Sequence, residues 1–518
     1  MSATAPAALI TDTELAALEA AGLGDLGARL LGRIEHDRQE ISWRDSRIDK
    51  LTFEMAQLKR VKFGQKTEQL NAEQRALFNE AVDADIAALE DQLEALMAAA
   101  SKPSEPRTTH KRAALPDSFP RVERHHEPES TTCSCGCALQ RIGEDVSEKL
   151  DYTPGVFTVE RHVRGKWACG QCRVLVQAPV PAEIIDKGIP TSGLLAQVLV
   201  SKYADHLPLY RQAHIFGRAG LALPRSTLAS WVGVCGLRLQ PLVDALKVEV
   251  LGCAVVHADE TPVAMLAPGT GKTHRAYLWA YAAGAFETLR AVVYDFTDSR
   301  SGEHARAFLG DWRGSLVCDD YAGYKAGFAL GVTEVGCMAH ARRKFVELHL
   351  TNKSTIAGTA IDFMGQLYGI EREVKEMAPA QRLKERQTRS RPVAQALHEW
   401  LLAQRPKITD GTATARAIDY SLKRWIALTR YLDDPALPID NNLDEQQIRP
   451  WATGRKNWLF AGTLMAGQRA AAIMRLIQSA KLNGHDPYAY VKDVLARLPT
   501  HPARDIGVLL PHRWNPVR

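Results

Sequence analysis

Val255-Val256-His257-Ala258-Asp259-Glu260-Thr261 places a carboxylate directly after a short, uninterrupted apolar run. A run of that length and composition reads as a buried strand. Leu316-Val317-Cys318-Asp319-Asp320-Tyr321 repeats the arrangement further along the chain. In Asp440-Asn441-Asn442-Leu443-Asp444-Glu445 a third acid stands where a helix begins. Asp259, Asp319 and Glu445 are therefore carboxylates delivered from two strand ends and one helix. Three such groups can converge on divalent cations, magnesium or manganese, of the kind that serve in-line displacement at phosphodiesters. With 60 acidic residues in the chain, any three could be chosen; placement at strand ends singles these out. Glu260, Asp320, Asp440 and Asp444 each neighbour a chosen acid and stay open as alternatives.

The surrounding pattern predicts a strand from Cys253 to His257, a second from Ala276 to Ala283 and a third from Leu289 to Phe296. A helix around Gly302 to Leu309 follows, then strands from Ser315 to Cys318 and from Thr333 to Met338. Three meandering strands, a helix, then strands alternating with helices is the order of a ribonuclease H-like mixed sheet. In that order the first and fourth strands lie side by side, so Asp259 and Asp319 should meet. Between about 350 and 435, Val393, Leu397, Trp400 and Leu401, then Ile418, Leu422, Trp425 and Leu428, predict an all-helical insertion ahead of Glu445. Arg449 lies one helical turn beyond Glu445, and Arg455 and Lys456 lie in Gly454-Arg455-Lys456-Asn457-Trp458-Leu459-Phe460. With Arg342, Arg343 and Lys344, these cations suit DNA phosphates beside an acidic site. Water activated at the acids would cut one strand, and the freed 3′-hydroxyl would attack a target phosphodiester without a covalent protein intermediate. Pro268-Gly269-Thr270-Gly271-Lys272-Thr273 looks like the end of a phosphate-binding loop, but Leu266 stands where its first glycine is required, so it reads as a hairpin turn.

Bulk composition allows this chemistry without pointing to it. At 518 residues the chain should hold several domains, and 65 Lys and Arg against 60 acids is too small an excess to argue DNA binding from net charge. No signal peptide or membrane span is legible, and five of nine cysteines crowd between Cys133 and Cys172. That usage fits a reducing cytoplasm and one thiolate metal site. Cys133, Cys135, Cys169 and Cys172 are the favoured zinc ligands, and Cys137 competes for one place.

Ahead of this cluster, residues 1–100 read as helical. Ile34, Ile41, Ile48 and Met55, with Leu51 and Leu58 interleaved, form one seam; Val82, Ile86, Leu89, Leu93 and Leu96 form another. The spacing favours a coiled coil or hairpin that self-associates, against an amphipathic helix packed on its own protein. Between the seams, Lys59 to Lys66 includes cations that could meet phosphate. Residues 101–120 read as a linker and 121–185 as the zinc domain. From 186 to 248, Leu209-Tyr210-Arg211-Gln212, a glycine-containing turn and a helix opening at Pro224-Arg225-Ser226-Thr227 resemble a helix-turn-helix. Its Arg225, Ser226 and Thr227 are candidate DNA contacts. The sheet domain runs from 249 to 500, and 501–518 read as a tail. The fold class is thus multidomain, α+β and α/β, with a coiled coil, zinc knuckle, helix-turn-helix and ribonuclease H-like domain in series.

These motifs together resemble the transposase of the insertion sequence 66 family, a bacterial mobile element. The likeness is carried by Lys62-Phe63-Gly64, the cysteine knuckles, Gly143-Glu144-Asp145-Val146, Leu150-Asp151-Tyr152 and Asp205 to Tyr210. It continues through His257 to Thr261, Asp319 to Tyr324, Cys337 to Phe345, Asp440-Asn441-Asn442 with Glu445, and Gly454 to Phe460. The resemblance implies a DDE transposase with an insertion before its Glu, and it places the second acid at Asp319. It also implies binding to the element's terminal inverted repeats and two small accessory proteins; the seams add a homo-oligomer, and the expected location is the bacterial cytoplasm, at the nucleoid when bound to DNA. The chain departs from the family at Cys133-Ser134-Cys135, where Cys-x-x-Cys is usual. Two other readings share these residues: an inactive transposase-derived DNA-binding protein, and a ribonuclease H-like nuclease that cuts without joining.

Overall fold

The computed structural model describes residues 24–63, 72–98 and 115–516, apart from 116, 118, 154, 187 and 268–271. The expected linker and the glycine-rich turn at 268–271 lie largely outside these residues, as does the end of the basic stretch, 64–66. The chain divides into two compact units, 1–64 with 89–109, and 65–88 with 110–518.

In the first unit, helix α1 (Gly24–Phe63) is joined to the end of α2 (Ala72–Ala98) by a Lys59–Glu90 ion pair at 2.9 Å and by Arg47 donating to Gln92. The predicted α1 seam is unevenly used: Leu51 is buried, whereas Ile34 and Ile41 are exposed.

The second seam divides at the boundary between the units, with Leu89 and Leu93 in the first unit beside α1. Val82 and Ile86 are buried in the second unit, where this part of α2 packs on its own chain. Buried Asp85 pairs with Arg469 at 2.8 Å and accepts from Thr463, and Glu80 pairs with Lys202 and accepts the Leu209 N–H at 3.0 Å. Two buried acids with cationic partners inside the chain hold the helix there more specifically than an apolar stripe could.

The second unit opens with a sheet of β1 (Arg121–His126), β2 (Leu139–Thr153), β3 (Val156–Cys169) and β4 (Leu175–Gln177), ordered β1-β3-β2 with β4 on β3. Helices α3 (Ser192–Tyr203), α4 (Leu209–Arg218), α5 (Arg225–Arg238) and α6 (Gln240–Leu251) come next. They share one apolar core with Leu150, Phe157 and Val159 of the first sheet and with the second sheet, so 186–248 is continuous with the sheet domain. The α4–α5 pair has the expected helix-turn-helix order, turning at Gly220, whose positive φ of 87° suits glycine. Helix α5 is exposed at its first turn and buried from Trp231 to Gly236.

The second sheet holds β5 (Val255–Ala267), β6 (Lys272–Ala283), β7 (Val292–Thr297), β8 (Ser315–Cys318) and β9 (Thr333–Gly336), in the order β7-β6-β5-β8-β9. The first three are antiparallel, and β8 and β9 run parallel to β5, as the ribonuclease H-like reading requires. Strand β5 is longer than its apolar run, because β6 pairs with it as far as Ala267. Asp259 is therefore mid-strand, at the point where β5 has passed the end of β8.

Helices α7 (Gly302–Leu309) and α8 (Lys325–Ala329) flank β8. After α9 (Met338–Asn352), the insertion comprises α10 (Thr355–Val374), α11 (Pro379–Glu385), α12 (Arg391–Gln404), α13 (Ala413–Lys423) and α14 (Trp425–Thr429). The chain returns through α15 (Asn442–Trp458), α16 (Leu464–Leu482) and α17 (Pro487–Arg497). Residues expected as a tail are packed instead: Leu509, Leu510 and Trp514 belong to the core, and Trp514 donates to Asp493 at 2.7 Å.

Candidate active site and zinc knuckle

The acidic site forms where β5, β8 and α15 meet. Parallel pairing sets His257 opposite Val317, so Asp259 on β5 and Asp319, just past the end of β8, each lie two residues beyond that rung. Glu445 arrives from the first turn of α15. Burial raises the Asp259 carboxyl to about 8, and the charges of Glu260, Asp319 and Glu445 add to the rise. The three predicted acids thus stand at one junction of β5, β8 and α15.

The element that carries Glu445 is clamped by Asn441. Its Nδ2 donates to the Ala258 carbonyl at 2.9 Å, its Oδ1 lies 2.7 Å from His257 Nδ1, and its N–H donates to Cys337 Sγ at 3.2 Å. Because the amide nitrogen is committed to Ala258, His257 must be the donor to Oδ1, and burial lowers its pKa to about 4, keeping the ring neutral. The start of α15 is thereby fixed to the strand residue next to Asp259. Neither Asn441 nor His257 was among the expected functional residues, although each stands close in sequence to an expected acid.

The neighbouring acids differ in their partners. Glu260 pairs with Arg300, whose Nε is 2.9 Å away, and accepts from Tyr324 at 2.9 Å. Arg300 in turn stacks over Tyr321 at 3.9 Å. Asp320 faces Lys325 at 3.5 Å and Arg424 at 3.8 Å, and Asp440 accepts the backbone and side-chain N–H groups of Asn442. Asp319 accepts the Tyr321 backbone N–H at 2.8 Å and opens onto a cleft. Glu445 lies 3.3 Å from Arg343, while its Oε1 is buried without a hydrogen-bond partner. Asp444 is wholly buried with both carboxylate oxygens unpartnered, and burial beside Asp259, Glu260 and Glu445 raises its pKa strongly. Oxygen donors left unpaired around clustered acids fit divalent cations such as magnesium.

The cleft beside Asp319 is lined by Arg300, His340, Arg343, Lys344 and Tyr420. Arg343 and Lys344 are exposed there, Arg342 is half-buried, and Lys344 sits 4.5 Å over the Tyr420 ring. On α15, Arg449 and Lys456 are exposed, but Arg455 donates to Thr261 and to the Pro262 carbonyl, at 3.2 and 2.8 Å, pinning the helix to β5. Arg225 and Ser226 are exposed on the first turn of α5 and Thr227 is half-buried there. They stand away from the acids, beside a groove lined by Tyr210, His214, Arg218 and Arg225.

At the far end of the β2–β3 hairpin, the sulfurs of Cys133, Cys135, Cys169 and Cys172 lie within 4.8 Å of one another. Cys135 Sγ is 3.7 Å from Cys169 Sγ and 3.8 Å from Cys172 Sγ, and Cys133 Sγ is 3.1 Å from Cys172 Sγ. Tetrahedral zinc spaces its sulfurs at roughly 3.8 Å, so the set fits the ion. The Cys135 backbone N–H lowers the Cys133 thiol to about 6, favouring the thiolate a metal needs. Cys137 donates instead to Gln171 at 3.1 Å. The irregular first half works because Gly136, at φ 85°, turns the chain sharply and donates back to the Cys133 carbonyl.

Residues 187–469 match the family model described as Transposase IS66 family, and 130–173 match the zinc-finger binding domain of transposase IS66. Residues 476–512 match the IS66 C-terminal element, and 50–124 match Transposase C of IS166 homeodomain. Uncharacterized protein y4qI of Sinorhizobium fredii is 37% identical over 491 residues, which cover 91% of this chain and 90% of that protein. Uncharacterized protein y4jD of the same organism is 38% identical over 416 residues, covering 77% and 81%. The leading family match takes in the helix-turn-helix, the sheet and all three acids, and the chain belongs to the IS66 family of transposases, with DNA as its partner.

Proposed function

We propose that this transposase binds the terminal inverted repeats of a bacterial insertion sequence and cuts and joins DNA strands by two-metal polynucleotidyl transfer. Asp259, Asp319 and Glu445 are the acids that hold the metals. The observation that carries this reading is the junction of β5, β8 and α15, where β5 pairs with β8 and Asn441 ties the start of α15 to the Ala258 carbonyl beside Asp259. Divalent magnesium or manganese, when bound, supplies Lewis acidity that lowers the pKa of water and offsets charge at the attacked phosphate. Asp259 holds a proton there until a cation displaces it. Asn441 keeps Glu445 in register with Asp259, and Arg300 and Tyr324 hold Glu260 aside. Arg343 and Lys344, with Arg342 behind them, grip strand phosphates at the cleft, joined by Arg449 and Lys456 from α15. Arg455 acts through its bonds to β5 rather than on DNA directly. Arg225, Ser226 and Thr227 contact the element end.

The zinc knuckle, the helix-turn-helix and the sheet act in series on one DNA. The exposed Ile34 and Ile41 of α1 support self-association into a homo-oligomer through the N-terminal helix. Two element-encoded accessory proteins assist it in the bacterial cytoplasm, at the nucleoid.

A cleavage and joining assay on a labelled element end, with target DNA and magnesium, tests the reading. Wild type should yield joined product, and Asp319→Asn should lower it by roughly a hundredfold or more, as loss of an electrostatic group at a transferring phosphate does. Joining that survives in Asp319→Asn removes that residue and points to Asp320. Cleavage without joining identifies a nuclease, and silence even with accessory proteins present identifies a binding-only protein.

A further inference from the structure

We propose that Cys337, His340 and Glu445 form a second transition-metal site, suited to zinc, at the corner between β9 and α9. Cys337 caps α9 and His340 lies in its first turn, a Cys-x-x-His spacing that lets a thiol and an imidazole reach one ion. Glu445 approaches from the first turn of α15. The three donor atoms all lie within 4.8 Å of one another.

Two details mark this as a site rather than a coincidence of neighbours. His340 Nδ1 and Glu445 Oε1 face each other at 3.7 Å, both are buried, and neither has a hydrogen-bond partner. An oxygen and a ring nitrogen left so close without a donor between them cost free energy that a bound cation removes. Arg343 approaches the other carboxylate oxygen, Oε2, so it does not compete for this position. Cys337 Sγ is held in place by the Asn441 N–H.

The donor set is nitrogen, sulfur and oxygen. Magnesium prefers oxygen alone, whereas zinc accepts all three. Three protein ligands leave a fourth position, and His340 lines the same cleft as Asp319, so that position faces the cleft. The site goes beyond the catalytic reading but shares Glu445 with it.

Zinc content of the full-length protein after dialysis against buffered zinc tests the site, with wild type compared with His340→Ala and Cys337→Ser. The four-cysteine knuckle contributes equally to all three proteins. Each variant is expected to hold one zinc fewer per chain than wild type. Equal content in wild type and His340→Ala overturns the site, and that comparison decides the matter alone if Cys337→Ser does not fold. Strand cleavage by Glu445→Gln separates this inference from the catalytic one. Unchanged zinc in His340→Ala with cleavage lost in Glu445→Gln sinks only the zinc site, and the reverse pattern sinks only the role of Glu445 in catalysis.

Discussion

Asn441 and His257 show how one buried contact sets the geometry of a reactive site. The ring of His257 is wholly buried, donates through Nδ1 and leaves Nε2 without a partner. Protonation would add an unpaired buried charge. Its folded pKa, about 4, lies below the ordinary 6.5, so the folded state binds fewer protons than the unfolded chain. The stability this contributes is present above pH 6.5 and is lost as pH falls from 6.5 toward 4. The loss amounts to roughly 3 kcal/mol at the limit. Thermal melts should therefore show a fall in Tm across that window, shallower in His257→Gln; an equal slope in both would exclude His257 as the cause. Asn441→Ala strands the buried His257 donor and Ala258 carbonyl, at a cost of about 2–4 kcal/mol. Denaturant melts should record that loss, and cleavage should fall with it because Glu445 is no longer held in register.

At the scale of elements, the close approach of α2 to α5 is the most demanding contact. A Cβ at Gly233 would sit 2.2 Å from the Ala84 carbonyl oxygen, a backbone atom that no rotamer change can move. Gly233→Ala is expected to destabilise the second unit by about 1–3 kcal/mol, the cost of overpacking a well-filled core. A denaturation midpoint unchanged from wild type would show that α2 does not need this approach. The same contact gives the apolar period of the first part of α2 a partner within the chain. A stripe of apolar residues at three- and four-residue spacing looks the same whether its partner is another copy or the chain's own α5. Helix α15 carries the opposite lesson: Glu445, Arg449 and Arg455 succeed one another along it, yet Arg455 turns to β5 while Arg449 stays in solvent.

Over the whole second unit, the insertion and the knuckle play different mechanical parts. Arg386, fully buried, pairs with Glu371 at 2.9 and 2.6 Å and donates to the carbonyls of Tyr431, Asp434 and Leu437. It thereby fixes the segment that returns the chain from the insertion to α15. The knuckle has only a small apolar cluster of its own, Cys133, Leu139 and Cys169, whereas Leu150, Phe157 and Val159 at the other end of the hairpin belong to the large core. Removal of zinc by a chelator should abolish hydrogen-exchange protection around Cys133 to Leu139 and Trp167 to Cys172 and leave that of β5 to β9 unchanged. Loss of protection in both regions would mean that the knuckle supports the whole unit.

Sequence by itself determined the strand order of the second sheet, the four clustered cysteines and the insertion, because each is written in local patterns: an apolar run, a thiol spacing, a helical period. Strand β5 ran past its predicted end because pairing with β6, not its own composition, set its length. Only the tertiary structure gave the two adjacent acids different partners: Asp319 accepts the Tyr321 N–H, whereas Asp320 faces Lys325 and Arg424, and both line the cleft. Adjacent acids have the same local signal, and their partners come from distant parts of the chain. The same holds for Cys137 against Cys135, for Arg455 against Arg449, and for α2, whose partner is a surface more than a hundred residues away in sequence. Periodicity records which face of an element is apolar, and burial with its charge partners is decided by what the fold sets against that face.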